Sequence, residues 1–288
     1  MSAVDHPPAL AGPVHRVSGR FLRSELRLIA VRRRNQVGLA ALAAVPIVLA
    51  VALKVAAPDS TDRGGGPDFV AQIAGNGFFV ALAALGVELG LFLPIAVAML
   101  CGDAIAGEAN QGTLRYLLTV PVDRTRLLAV KYAGIVFGAF LAPLVVAASG
   151  LIIGLILFGG GDVTLLSGTT VSFGEGLLRL LGVCLYLGVC LAAAGAVGLF
   201  LSTLTEQPMG ATIALAMLTV ASFVLGQVPQ LDWLHPYLLT QHWQDFGEFL
   251  RDPVSFGALR PGLVSAFAYI LVFLCAAWAR FAGKDVSS

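Results

Sequence analysis

Residues 107–132 read GEANQGTLRYLLTVPVDRTRLLAVKY and stand between two long apolar runs. Two acids and four bases are concentrated here, in a chain that is 58% hydrophobic and only 12% charged over 288 residues. Soluble domains carry about 25% charged residues, so this composition, with a mean hydropathy of +0.87, belongs to a membrane protein. A polar block between two apolar segments of such a chain is a connection on one side of the bilayer. Its reading therefore fixes both the topology and the orientation.

Crossing the hydrocarbon core takes about 20 mostly apolar residues. Six stretches meet that length, at about 37–57, 79–102, 132–158, 176–201, 209–227 and 261–282. They predict an all-α integral membrane protein, with a segment over 1–36 followed by a transmembrane domain over 37–288. Val55-Ala56-Ala57 has the small residues of a cleavage site, but the apolar core before it is too long for a signal peptide and reads as a retained helix. Apolar sequence already begins at Phe69, and residues 69–78, with Gln72 and Asn76, are expected at the outer interface.

Orientation follows from the bases. Placing 1–36, the 103–131 block, the 202–208 turn and the tail on one side gathers 13 of the 18 Lys and Arg residues there, against three on the other side (Arg63, Arg251 and Arg260). The positive-inside rule then puts both termini and the block in the cytoplasm. Arg-rich, Lys-poor usage with abundant Ala, Gly and Val suits a bacterial chain, and so a bacterial cytoplasmic membrane.

At about 100° per residue, Arg16, Arg20, Arg23, Arg27 and Arg34 fall on one stripe, interrupted by Gly19 and Glu25. This predicts an in-plane amphipathic helix whose Arg side chains meet anionic headgroups. On the outer side, residues 228–260 interleave Trp233, Tyr237, Trp243, Phe246 and Phe249 with acids, which predicts one or two short helices at the headgroup level.

The chain has no G-x-x-x-x-G-K-[ST] loop, H-E-x-x-H, G-x-S-x-G or C-x-x-C. It has no phosphate loop with which to hydrolyse ATP itself, and nothing in its pattern points to catalysis, a metal, a cofactor or nucleic acid. Cys101, Cys184, Cys190 and Cys275 lie in apolar runs and read as buried thiols. His235 and His242 lack a clustered third ligand. Glu88 and Arg179 fall inside spans at comparable depth. An intramembrane pair between them stands beside a second reading, in which Arg179 snorkels outward and Glu88 meets water.

Within the block, Glu108–Leu118 carries helix formers with Leu114, Leu117 and Leu118 on one face, though Gly112 weakens its middle. Pro121 holds Val120 extended and breaks the run. Asp123 is placed to cap the next helix, which runs into the third span.

Glu108, Gly112-Thr113-Leu114-Arg115, Leu117-Leu118, Pro121-Val122, Arg124 and Lys131 together resemble the signature of permease subunits of ABC exporters of the ABC-2 type. The in-plane helix and the outer insertion between spans five and six resemble that family's layout as well. The resemblance implies a coupling helix at 108–118, docked on a separate cytoplasmic ATPase that carries ATP and Mg. It also implies two ATPase copies and a second permease half. Carried over by position, Glu108 and Arg115 fix the coupling helix, Gly112 permits close packing against the partner and Pro121 sets an elbow; Thr113, Leu114 and Arg124 complete the set. At Ala109-Asn110 the chain lacks a charge common in that family.

Two other readings remain open at this point. One is a membrane scaffold or immunity-type protein that recruits an ATPase. The other is a polytopic enzyme using His235, His242 and Asp245. The substrate is not encoded legibly, although sparse intramembrane charge favours an amphipathic or hydrophobic cargo.

Overall fold

The computed structural model describes residues 20–56, 76–110, 124–165 and 167–283. Its elements, in order, are α1 (Arg20–Val31), α2 (Arg33–Ala56), α3 (Phe78–Leu89), α4 (Phe92–Ala104), α5 (Ala106–Asn110), α6 (Arg124–Phe158), β1 (Val163–Thr164), β2 (Thr170–Val171), α7 (Phe173–Leu204), α8 (Pro208–Leu225) and α9 (Phe256–Ala282). Three 3-10 segments, Pro229–Leu231, His235–Tyr237 and Trp243–Leu250, connect α8 to α9. Five helices (α2, α6, α7, α8 and α9) are each long and apolar enough to cross a membrane. The sixth expected span, 79–102, is instead α3 plus α4, bent by 56° at their junction. Pro94, near the start of α4, has no N–H to give the Gly90 carbonyl four residues back, and this breaks the ladder.

The bundle is built around α7. Some 78% of its most apolar window is buried, against 17% for α2 and α9, and α4, α6, α8 and α9 all pack on it. Small side chains make this possible: Ala192, Ala193, Ala194, Gly195, Ala196 and Gly198 are all buried. A Cβ on Gly198 would lie 2.6 Å from both Cys101 Sγ and Leu215 Cδ2, so α7 can take no larger residue there without moving α4 or α8. The α3–α6 contact works in the same way. Gly150 and Gly154 face Ala81 and Gly77, a small-xxx-small crossing of the kind that brings membrane helices together where hydrophobic burial alone cannot.

One end of the bundle collects the arginines; the other collects the aromatic insertion. At the basic end α1 turns into α2 at Arg32. The Asn35 and Gln36 side chains donate to the Ile29 and Ala30 carbonyls (2.9 and 3.1 Å), satisfying acceptors that the end of α1 leaves open. Helix α6 starts at Arg124, two turns before the expected span, and its 35 residues are about 50 Å long. It therefore projects beyond a core of about 30 Å.

At the aromatic end Asn76 is buried rather than interfacial. Its Oδ1 accepts from Phe78 N (2.9 Å) and its Nδ2 donates to Asp162 O (3.0 Å), tying the start of α3 to the loop after α6. In that loop a two-residue antiparallel ladder pairs Val163 with Val171, which the sequence reading did not anticipate. The insertion is amphipathic. Trp243, Phe246 and Leu250 are buried against the bundle, whereas Trp233 and Tyr237 are each 71% exposed. Cys101, Cys184 and Cys190 are buried as expected, whereas Cys275 on α9 is exposed.

Candidate functional site

At the basic end, Lys131 lies in the second turn of α6 with its side chain only 5% exposed. Its Nζ donates to Glu108 Oε1 at 3.0 Å and to Glu25 Oε1 at 2.9 Å, and each carboxylate is 14% exposed. One ammonium thus ties together α1, α5 and α6. A buried ion pair gains little over apolar packing, but removing one partner leaves an uncompensated charge and costs about 3–5 kcal/mol. The cluster is therefore a rigid junction. Glu25, which interrupts the Arg stripe in the sequence, is explained by this contact: it points away from the stripe, into α6 beside Gly134.

Around the junction, the polar block is held at both ends. Before it, the α4–α5 break at Ile105 is capped by Ser202 of α7, whose Oγ accepts from Ile105 N (3.2 Å) and Ala106 N (3.0 Å). Asp103, one turn earlier, accepts from Arg34 (3.0 Å) and pairs with Arg32 (3.4 Å). After the block, Arg124 Nη1 donates to the carbonyls of Phe281 (3.2 Å) and Ala282 (2.7 Å) at the C-terminus of α9, where the helix dipole favours a cation. Trp278 Nε1 donates to Thr125 Oγ1 at 3.0 Å.

Of the expected coupling residues, Glu108 and Arg124 are seen in place; Gly112, Thr113, Leu114, Arg115 and Pro121, with Asp123, lie outside the described residues. The described part of the expected 108–118 helix is the single turn α5, ending at Asn110. Glu25 and Ser202 were not singled out by sequence reasoning. Glu25 lies 106 residues from Lys131, and no local pattern reveals that distance closing.

Of the two readings of Glu88 and Arg179, the structure has neither the pair nor a Glu88 that reaches water. Arg179 turns outward instead, to Glu175 Oε1 (2.7 Å), Asp252 Oδ1 (3.4 Å) and the carbonyls of Phe249 (3.3 Å) and Arg251 (2.6 Å), fastening the insertion to α7. These acceptors offer both charge and partial hydration, which a site deeper in the bundle does not. Glu88 is 0% exposed, and neither of its carboxylate oxygens has a hydrogen-bond partner. The histidines do not form a constellation. His242 Nδ1 contacts Asp245 Oδ2 at 2.8 Å, while His235 is engaged with the Val228 carbonyl and Asp232. Among the described residues no group of three His, Cys, Asp or Glu is placed to hold a metal.

A family model described as ABC-2 family transporter protein matches residues 30–223. That range holds Glu88, Glu108, Lys131 and the whole polar block, though not Glu25, and covers more than half of the chain. The chain belongs to this family and is a multi-pass membrane permease component of an ABC transporter. No curated protein matches it.

Proposed function

We propose that this ABC-2 family chain is the membrane-spanning half of an ATP-driven exporter in a bacterial cytoplasmic membrane. On this reading both termini and the basic end face the cytoplasm. The passage forms between this chain and a second permease half, and two copies of a separate ATPase supply the energy. Residues 108–118 are the part that the ATPase pushes, with Arg115 and Gly112 at the contact and Pro121 setting the elbow behind it.

The observation that supports this reading most is the Lys131 junction, which joins the start of the block at Glu108 to its end at Lys131 and to Glu25. A displacement of Glu108 is transmitted through one buried ammonium to α1 and to α6, the helix that spans the membrane next. Arg124 does the same for α9 at the end of the block. An ordinary connecting loop needs no such attachment to three other helices.

The test is co-purification from native membranes in a mild detergent, comparing wild type with Arg115→Ala and with Glu108→Ala plus Arg115→Ala. A P-loop ATPase should accompany the wild type and be depleted in both variants, while each variant keeps the wild-type elution profile. If no ATPase accompanies the wild type, the exporter reading fails and an ATPase-independent membrane role takes its place.

A further inference from the structure

Between the α1–α2 corner, α4 and α6 lies a cavity of about 190 Å³. Ile29 from α1, Gly38 and Leu42 from α2, Leu100 from α4, and Phe137 and Leu141 from α6 form its apolar wall. Along α2 the lining runs from Arg34 to Leu42, eight residues and hence about 12 Å. One leaflet of hydrocarbon is about 15 Å deep, half of the roughly 30 Å core. The slot therefore reaches most of the way through the leaflet at the basic end.

Its mouth carries the opposite chemistry. Arg32, Arg33 and Arg34 follow one another at the corner, and Arg34 with Asn35 lines the opening. Asp103 is the carboxylate that meets this group, through Arg34 and Arg32. The nearby carboxylates of Glu25 and Glu108 are occupied by Lys131. Two guanidinium groups against one acid leave the mouth cationic. Leu28 (52%), Val31 (63%) and Val37 (68%) are exposed at the same corner, so the surface surrounding the mouth is apolar.

A free anion would answer the charge and leave the slot empty, and a neutral apolar molecule would do the reverse. We propose that this is a binding site for an anionic phospholipid. One acyl chain lies in the slot, and the phosphate sits at Arg34 and at Arg32, which shares Asp103 with it. Such a lipid joins α1 to α2, α4 and α6. The proposal rests on the chain being embedded in a membrane and does not depend on ATPase coupling.

The test uses the full chain, purified in detergent and delipidated. Its melting temperature is followed against phosphatidylglycerol and phosphatidylcholine in mixed micelles, with native mass spectrometry to count retained lipid. Phosphatidylglycerol should raise the melting temperature and survive as a one-to-one adduct, and phosphatidylcholine should do neither. A Cβ at Gly38 meets nothing within 4 Å, so Gly38→Leu fills the slot without a clash and favours the helix. This variant should melt no lower than wild type in the absence of lipid, yet bind phosphatidylglycerol roughly tenfold more weakly. Arg32→Gln should narrow the preference between the two lipids. Equal effects of the two lipids on wild type overturn the charge assignment. Undiminished phosphatidylglycerol binding by Gly38→Leu overturns the slot and leaves only surface attraction.

Discussion

Glu108 and Glu88 are both enclosed carboxyl groups in a chain with few charges, and the fold treats them in opposite ways. Glu108 sits at the basic end with a lysine ammonium at 3.0 Å. Glu88, ten residues into α3 and so about 15 Å along a span, has no partner for either oxygen. The cations inside or beside the spans are engaged elsewhere: Lys131 with the two acids at the basic end, Arg179 with the insertion, and Lys54 over the Phe158 ring at 5.6 Å. Charge in this molecule is paired at the ends, where helices are joined to each other. In the middle of the bundle the carboxyl group of Glu88 has no partner among the described residues. Rigidity should accordingly be concentrated at the basic end and depend on named ion pairs, whereas position 88 should tolerate loss of its acid.

The contrast is sharpened most by Lys131→Met. It removes the ammonium that Glu25 and Glu108 share at 2.9 and 3.0 Å, and should cost about 3–5 kcal/mol, read as a large fall in melting temperature in detergent. Adding Glu25→Gln and Glu108→Gln should restore most of the loss; a triple variant as unstable as the single one would mean that Lys131 acts through packing instead. At the opposite end, Arg179→Met removes hydrogen bonds to two carbonyls and two exposed acids. The expected loss is about 2 kcal/mol, confined to the insertion. Faster hydrogen exchange over residues 243–252, with the rest of the bundle unchanged, is the sign to look for. Glu108→Gln keeps a hydrogen-bond acceptor and leaves Glu25 on Lys131, so a smaller loss of about 1–2 kcal/mol is expected by thermal unfolding. Glu88→Gln should change stability by less than about 0.5 kcal/mol, since no charge pairing is lost and both side chains leave polar atoms unsatisfied. A loss of several kcal/mol there would break the comparison, by showing that Glu88 holds a cation or a hydrogen-bond partner.

Much of this architecture could be read from residue patterns. Apolar length alone identified five long helices and the stretch that forms α3 and α4, because a bilayer imposes one scale on every crossing segment. It could not say that α7 is central, since the spans are about equally apolar and only its Ala- and Gly-rich middle, Leu191–Gly198, hints at close neighbours on all sides. The bend in the second span was written in Gly90 and Pro94, four residues apart, but hydropathy averages over such a local defect. At the site, Glu108 and Lys131 were visible as parts of a polar block, while Glu25 looked like a flaw in an arginine stripe. Pairing across 106 residues is a property of the packed bundle. Depth along helices also misled: Glu88 and Arg179 are a few ångströms apart in nominal depth, yet Arg179 reaches outward to carbonyls and acids of a 3-10 segment whose docking has no local signature.

Residues 108–118 are proposed above as the surface on which a separate ATPase acts. A photo-crosslinking residue placed at Leu114 in the block, and in a second variant at Trp233 at the aromatic end, tests it in intact membranes. The account predicts an adduct with a P-loop ATPase from position 114 and none from position 233. No ATPase adduct from 114, or equal adducts from both positions, would contradict it.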